Sequence, residues 1–504
     1  MDSDGKGRRY HRQLVRGAVV NTLGLVAKLV HPLLFLVLTW LFGPTLMGGY
    51  FLAISIGEIV SGLIASGFVD ATTIYASHHA DAEEGDAEAA RSLYQVLGNG
   101  FAATLAVSLL VVLAAVLGSQ ALVEALYPDT PELAPALVLL GLSMPLLAFS
   151  QVAIAATKAR MRMEYDAAIL GFSLPMLLLG TSVVVWWLDG GLVGLMAAHL
   201  VTQVLVAAAS GWALARHFDL GRLARTTLRP VPHRPTLVFA VPQSLNMTFN
   251  KYITRLDVIM LAAFGVGAVQ VAFYATAALL VSNLRQIKIV FSTSLAPVAA
   301  RHHGAGERSD FEAVLGRVSR WTTTLIVPAL ILTVVLRDDI MRFVDEAYVG
   351  DTTFMLLLMI PPFLSCAFGL AGNCVTYCGH SRWTLFNSVV VAVLNTVFNV
   401  VFIPRWGLLG AALATALAAG LISVLQLVEL RLLEGVGLRW REVYKPHLGF
   451  ALVAAAVALM WDPAALPGLG LRIGVAFALV GAFAVLMLLM RHDELTQILR
   501  RTAA

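Results

Sequence analysis

Residues 41–56 read LFGPTLMGGYFLAISI. This stretch closes one apolar run and opens the next. The run behind it covers 15–42 and the run ahead covers 48–76. Each exceeds the roughly 20 apolar residues that a helix needs to cross a hydrocarbon core about 30 Å thick. The same reading continues along the chain, with spans at 93–118, 134–157, 166–188, 191–215, 237–264, 268–296, 319–336, 352–379, 384–403, 407–430, 447–461 and 469–490. Only helices and closed barrels satisfy their backbone in lipid, and these runs are too long for barrel strands. The expected fold is therefore an all-α polytopic membrane protein of about fourteen transmembrane helices.

Composition agrees. Apolar residues make up 59% and charged residues 13% of 504 residues, and mean hydropathy is +0.80. A soluble domain is nearer half apolar and about a quarter charged. The longest outer connections, 119–133 and 337–351, are too short for a folded catalytic domain. The charged start (Lys6, Arg8, Arg9, Arg12, Arg16) precedes an apolar run of full spanning length without a small-residue cleavage site. The first span is expected to be retained rather than cleaved.

Orientation follows from Lys and Arg in the connections. With a cytoplasmic N-terminus, the inner connections hold Lys158, Arg160 and Arg162, then Arg216, Arg222, Arg225, Arg229 and Arg234, then Arg301, Arg308, Arg317 and Arg320, then Arg439, Arg441 and Lys445. The outer ones hold little beyond Arg337, Arg342 and Arg405. An even number of spans puts both termini in the cytoplasm. The pI near 9.0 then reflects topology and not nucleic-acid binding, since the basic residues are spread over many loops. Cys366, Cys374 and Cys378 share one span, and no further Cys or His completes a metal set. They are expected to be small packing residues, with no metal site.

An internal repeat organises the spans. At a shift of 224, Tyr50 meets Tyr274, His78-His79 meets His302-His303, and Asp86, Glu88 and Ala89 meet Asp310, Glu312 and Ala313. Phe42-Gly43 matches Phe264-Gly265 at 222, and GLVG at 191–194 matches GLLG at 407–410 at 216. Apolar bias alone does not place a His-His pair and a following acidic stretch at one offset. A shift of six helices gives two six-helix lobes of like orientation, as in parallel-repeat transporters. The expected division is an N-lobe at 1–215, a basic cytoplasmic linker at 216–236, a C-lobe at 237–433 and a C-terminal helix pair at 434–504.

Ionisable residues inside spans cost roughly 2.5–3.5 kcal/mol each at the helix centre and usually face a bundle interior or wet cavity. The bases concentrate on three spans: Lys28 on the first, Lys251 and Arg255 on the seventh beside Asn250, and Arg285 and Lys288 on the eighth. Lys251 and Arg255 are four apart and share a face. These residues are read as a cationic cavity for an anionic head group. The competing reading is that Arg285 and Lys288 snorkel to the surface and that Arg255 pairs with an acid. Three acids lie in spans: Glu58, Asp70 and Asp257. They are candidates for charge partners or for a coupling cation. Asp257 follows Arg255 by two residues and so points to another face of the helix. Prolines 32, 145, 175, 242, 328, 361 and 362 permit bends. The acidic stretch 77–92 is expected to form a short surface helix. No Walker loop, HExxH, GxSxG or dinucleotide fingerprint occurs. The chain is therefore read as a non-enzymatic transporter without an ATPase motif.

The pattern LFGPTLMGGYFLAISI, the seventh-span pattern VPQSLNMTFNKYITRLDVIML and the twelfth-span start GLLGAALATALAAG resemble polysaccharide-exporting flippases. These form the O-antigen and exopolysaccharide branch of the multidrug/oligosaccharidyl-lipid/polysaccharide exporter superfamily. The resemblance runs over nearly the whole chain through diffuse motifs. It implies two lobes rocking around a central cavity and carrying undecaprenyl-pyrophosphate-linked oligosaccharide to the outer leaflet of the bacterial cytoplasmic membrane. By position it assigns Lys28, Arg255 and Arg285 to the pyrophosphate and sugar acids. Membrane lipids, a glycan polymerase and glycosyltransferases are the implied partners. No cofactor is expected, and a coupling Na⁺ or H⁺ stays open. Three rivals remain: a lipid II flippase, a drug/cation antiporter of the same superfamily, and a non-transporting scaffold of a glycan-synthesis complex.

Overall fold

A computed structural model describes residues 33–80, 87–289, 308–348, 350–378, 381–438, 443–451 and 468–490. These residues are almost wholly helical, and each expected span coincides at least in part with helix. The helices are α1 (33–42), α2 (44–80), α3 (Ala87–Leu126), α4 (Leu133–Ala159), α5 (166–187), α6 (Gly191–Ala215), a short linker helix α7 (Leu220–Leu228) and α8 (Arg234–Ala263). They continue with α9 (268–289), α10 (Arg308–Val344), the broken α11 (353–377), α12 (381–406), α13 (408–434), α14 (443–451) and α15 (Leu469–Met490). The chain is a multi-pass membrane protein. Lys28 and Pro32 lie outside the described residues, as does the second His-His pair of the repeat.

Seven helices among the described residues are long and apolar enough to cross a membrane. Two of them, Leu33–Ser77 and Arg382–Glu434, run for 45 and 53 residues. At 1.5 Å per residue these would reach about 70–80 Å, far beyond one bilayer. Each is a pair of crossings broken at a glycine, Gly43 (φ +76°) and Gly407 (φ +52°). The sequence repeat reappears here in the backbone. Gly43 is matched by Gly265 (φ +75°), and Gly407 by Gly191 (φ +59°). At all four, a Cβ would meet nothing within 4 Å. Glycine is required there by the left-handed backbone and not by space.

By its contacts the chain divides into two compact units between Thr276 and Ala277. In the first, α3, α4 and α6 enclose a cluster that includes Leu93, Leu97, Val152, Ala156 and Leu214. Apolar burial drives little association in lipid, so close packing of small residues carries it. Ala148, Ala153, Ala155 and Ala156 of α4 and Ala198, Ala207 and Ala213 of α6 are all buried. The opposite face of α3 exposes Leu109, Leu110, Leu113 and Leu117, and α5 ends in exposed Trp186 and Trp187. That is the pattern of a lipid-facing surface with an interfacial aromatic end. α5 opens with a π turn, Asp166–Ser173, just ahead of Pro175. A proline has no N–H for the regular ladder, and the widened turn accommodates it.

In the second unit, α10, α11 and α13 surround Leu315, Leu370, Cys374, Val375 and Leu430. The three cysteines are free and buried. α11 is broken into Thr353–Leu358, Ile360–Ala367 and Leu370–Tyr377. The break leaves carbonyls without helical donors, and α10 supplies hydroxyls in their place. Ser319 donates to the Ala367 carbonyl and Thr322 to the Cys366 carbonyl at 2.7 Å. This is how irregular backbone survives inside a membrane. α15 lies on α10 through Ala476, Phe483 and Met487 against Val327, Ile331 and Val335. An ion pair from Arg472 to Asp339 at 2.9 Å adds to that contact.

The acidic stretch 77–92 differs from expectation. Its described parts are the end of α2, which runs to Ala80, and the first turn of α3, which holds Glu88. The described residues of the stretch continue the two long helices on either side of it. An acid in the first turn of α3 favours that extension.

Candidate functional site

The site is a polar seam between α2 and α8 within the first unit. Running down α2 and up α8, Asp70 faces Gln243, Gly67 faces Ser244, Ser61 faces Lys251 and Glu58 faces Arg255. Gln243 Nε2 donates to Asp70 Oδ2 at 3.0 Å. The Gly67 N–H donates to Ser244 Oγ at 3.1 Å. Lys251 Nζ donates to Ser61 Oγ at 2.8 Å. Arg255 closes the row with two bonds, Nε to Glu58 Oε2 at 2.6 Å and a terminal nitrogen to Oε1 at 2.7 Å.

Local sequence explains the close approach. A Cβ on Gly67 would sit 2.1 Å from the Ala240 carbonyl oxygen, so no other residue lets the two backbones meet there. Just before it, α2 widens into a π turn, Gly62–Ser66. The extra residue rotates the face of α2, and both sides of the turn, Ser61 and Gly67, address α8. Such turns concentrate where a helix must present unusual groups. On α8, Asn250 donates to the Asn246 carbonyl at 2.9 Å and side-chain oxygen at 3.2 Å, so these amides hold one another along the helix.

The Arg255 side chain is 23% exposed and that of Glu58 35%. The pair is thus neither buried nor freely solvated. A forked guanidinium–carboxylate pair is among the stronger polar contacts and matches phosphate geometry as well as carboxylate. The same guanidinium can therefore exchange a protein carboxylate for a phosphate of similar shape.

Asp257 stands apart from this seam. It is 4% exposed and accepts a hydrogen bond from the Tyr274 hydroxyl at 2.7 Å. The repeat makes this arrangement informative. At shifts of 222 and 224 the equivalents are Phe35 and Tyr50, whose rings lie 6.2 Å apart. One repeat thus holds an apolar contact where the other holds an acid.

Arg285 and Lys288 belong to the second unit. Arg285 ends a 3₁₀ turn, Asn283–Arg285. The Lys288 amine lies 2.8 Å from where a Gly369 Cβ would be. Sequence reading had not singled out Ser61, Gln243 or Ser244, and it had marked Tyr274 only as the repeat partner of Tyr50. Ser61 follows Glu58 by one helical turn, and Gln243-Ser244 follow Pro242 in the quoted seventh-span pattern, so the signal was position on a shared face.

A cleft of ≈ 320 Å³ opens in the first unit at the Gly43 and Gly265 end of these helices. Gly48, Leu52, Tyr127, Asp129, Gly265 and Val271 are among its lining residues. The Tyr127 hydroxyl donates to the Ile259 carbonyl at 3.3 Å, and burial pushes that phenol up to about 12.

The family described as "Polysaccharide biosynthesis protein" matches residues 14–303. The chain belongs to that family. The MatE family also matches, over residues 242–401. A curated relative, the "Probable low-salt glycan biosynthesis flippase Agl15" of Haloferax volcanii, is 23% identical over 257 residues, 47% of this chain and 51% of the relative. The alignment therefore spans about half the length of that relative. Among solved structures, the lipid II flippase MurJ in an inward closed conformation matches with TM-score 0.69 and 14% identity, covering 95% of this chain and 100% of that one. An inward-facing multidrug resistance MATE transporter of the MOP superfamily matches with TM-score 0.62 and 14% identity, covering 83% and 98%. The fold shared with these solved structures thus extends beyond the residues that the family model matches.

Proposed function

We propose that the protein flips a lipid-linked glycan, undecaprenyl-pyrophosphate-linked oligosaccharide, from the cytoplasmic to the outer leaflet for surface polysaccharide synthesis. Two lobes, divided as the repeat divides the sequence, alternate around a cationic cavity. The observation that carries this reading is the forked Arg255–Glu58 pair, set with Lys251 in the polar seam between α2 and α8. Glu58 stands where a diphosphate oxygen pair would bind. When the substrate head enters, its phosphates take over Arg255 and Lys251, and the α2–α8 seam loses its strongest link. Loss of that link lets the helices separate. The prenyl tail stays in lipid while the head follows the polar row.

The energetics suit such a carrier. An inside-negative potential assists outward movement of an anionic head by about 2.3 kcal/mol per charge per 100 mV if the full field is crossed. Lys28, Arg285 and Lys288 are further candidate bases for the anionic head, with Asn250 as a neutral donor. Asp257, the acid present in only one repeat, is assigned to coupling by Na⁺ or H⁺, and Asp70 to holding the seam. The protein resides in the bacterial inner membrane with both termini cytoplasmic, beside a glycan polymerase and glycosyltransferases.

Reconstitution tests the reading. Vesicles holding the purified protein should flip a fluorescent undecaprenyl-pyrophosphate glycan, and Arg255→Ala vesicles should not. Transport of a cationic dye in place of the lipid would instead identify a drug antiporter. Depletion in cells separates the nearer rival: loss of surface glycan without lysis supports the proposal, and lysis supports a lipid II flippase. A scaffold predicts that Arg255→Ala has no effect.

A further inference from the structure

The linker helix α7 carries two faces that the transport reading leaves unused. Leu220, Ala224 and Leu228 recur at every fourth position and form one stripe. Leu220 is 47% exposed and Leu228 82%. Arg222 and Arg225 fall on another face, and they and Arg229, which follows the helix, are exposed. The third side is fixed to the protein. Leu223 is buried in the cluster of Leu93, Leu97 and Leu214, and Thr226 packs against Gly98. Asp219 caps the helix by accepting from the Gly221 and Arg222 N–H groups at 2.8 and 3.1 Å, while its own N–H donates to Tyr94 Oη at 2.8 Å.

The surroundings are basic and aromatic. The Arg216 guanidinium lies 4.0 Å over the Trp212 ring, and that of Arg160 lies 4.3 Å over Phe218. The nearby acids are already engaged: Asp166 with Lys158 at 2.9 Å, Glu164 with Arg162 at 3.4 Å and Asp219 with Arg222 at 3.4 Å. Among the described residues, Arg216, Arg225 and Arg229 have no ion pair. A docked helix with a bare leucine stripe beside uncompensated arginines matches a membrane-surface helix.

We propose that α7 and Arg216 form a seat for an anionic phospholipid. Its acyl chains lie on Leu220 and Leu228, and its phosphate is held by Arg216, Arg225 and Arg229. Charge and shape argue for this occupant. Soluble anions would leave the leucine stripe in water, and zwitterionic lipid would leave the arginines uncompensated. Because α7 is already capped and anchored, the arginines need little further ordering to bind. The site is separate from the α2–α8 seam and does not depend on what the carrier transports.

The test uses the full-length protein in detergent, with phosphatidylglycerol retention read by native mass spectrometry and phosphatidylcholine as control. An arginine near an anionic headgroup is worth about a fivefold change in binding. Arg216→Gln/Arg225→Gln/Arg229→Gln should therefore lose phosphatidylglycerol about a hundredfold with phosphatidylcholine and the thermal unfolding midpoint unchanged. Leu228→Gln, which keeps every arginine, should lower phosphatidylglycerol retention severalfold. Equal retention by the triple variant overturns the proposal, as does equal retention by Leu228→Gln. Displacement by inorganic pyrophosphate at similar concentration, with the leucine stripe irrelevant, identifies a phosphate site and also overturns it. The transport reading is read separately, since Arg255→Ala should retain phosphatidylglycerol in full.

Discussion

Arg255 and Glu58 lie 197 residues apart in the chain and meet through two hydrogen bonds of 2.6 and 2.7 Å. In the proposed transport cycle the carboxylate competes with an anionic head group for the same guanidinium. Glu58→Gln removes the competing charge and keeps the shape. It should tighten binding of a diphosphate lipid about tenfold, equivalent to about 1.4 kcal/mol. Arg255→Gln removes the phosphate's forked partner. Two charge-assisted bonds are worth about 3 kcal/mol together, so flipping should fall about a hundredfold. Ligand titration and single-turnover flipping of the two purified variants check both. Weaker binding by Glu58→Gln would show that the carboxylate supports the substrate and does not compete with it.

The paired glycines make a structural prediction. Gly43→Ala, Gly265→Ala and Gly407→Ala each force a left-handed backbone on a residue with a Cβ. Each should cost about 1–2 kcal/mol, although nothing lies within 4 Å of the added carbon. Gly180 is equally open but has no positive φ. Gly180→Ala should be neutral or stabilising, by up to about 1 kcal/mol. Thermal unfolding in detergent reads the contrast.

Much of this fold was legible because lipid imposes one demand on every span. Run length alone anticipated helix at each expected span, and the Phe42-Gly43 and Phe264-Gly265 match located two turns of nearly equal φ, +76° and +75°. The seam was less legible. Lys251 and Arg255 stood out by charge, yet their partners Ser61 and Glu58 are set by the antiparallel register of two helices far apart in sequence. The π turn at Gly62–Ser66 shifts that register by a residue, and no local composition announces it. The broken α11 shows the same limit. Pro361 and Pro362 signalled a bend, whereas the second break, ahead of Leu370, is sustained by Ser319 and Thr322 of α10.

Asp257 offers a test of coupling. Its carboxylate is held by the Tyr274 hydroxyl at 2.7 Å in a place where the other repeat has Phe35. Tyr274→Phe removes a neutral donor and should cost about 1 kcal/mol of stability. Asp257→Asn keeps the shape and removes the charge. If Asp257 couples transport to a cation, flipping by Asp257→Asn should no longer respond to an imposed Na⁺ or proton gradient, while binding of the diphosphate lipid persists. An unchanged gradient response assigns Asp257 to structure alone.

His217, on the connection after α6, gives a pH dependence. Burial lowers its pKa first, and the Arg162 and Arg160 charges lower it further. In the window just below the usual histidine pKa of about 6.5, the unfolded chain binds more protons at this site than the native one. Stability therefore rises with pH there. The contribution is present above the unfolded value and is lost as pH falls through the folded one. His217→Gln should flatten this part of the unfolding-midpoint profile between about pH 5 and 7. A wild-type profile that falls with rising pH across that window would contradict the sign.

The Arg472–Asp339 pair ties α15 to α10 at 2.9 Å with side chains 18% and 16% exposed. The two members are not equivalent to the pair. Arg472→Met leaves Asp339 shielded without its cation, and Asp339 Oδ2 already has no hydrogen-bond partner. Removing one side of a fully buried pair costs about 3–5 kcal/mol and less for a part-buried pair such as this, whereas replacing both by apolar residues is often neutral. Arg472→Met should therefore lower the unfolding midpoint strongly, and Arg472→Met/Asp339→Leu should recover most of the loss. The difference between the double variant and the sum of the singles measures the coupling. Recovery would show that α15 is held mainly by Phe483 and its apolar neighbours, with the ion pair setting its register. A double variant as unstable as the worse single would instead make the ion pair itself the attachment of the C-terminal helix.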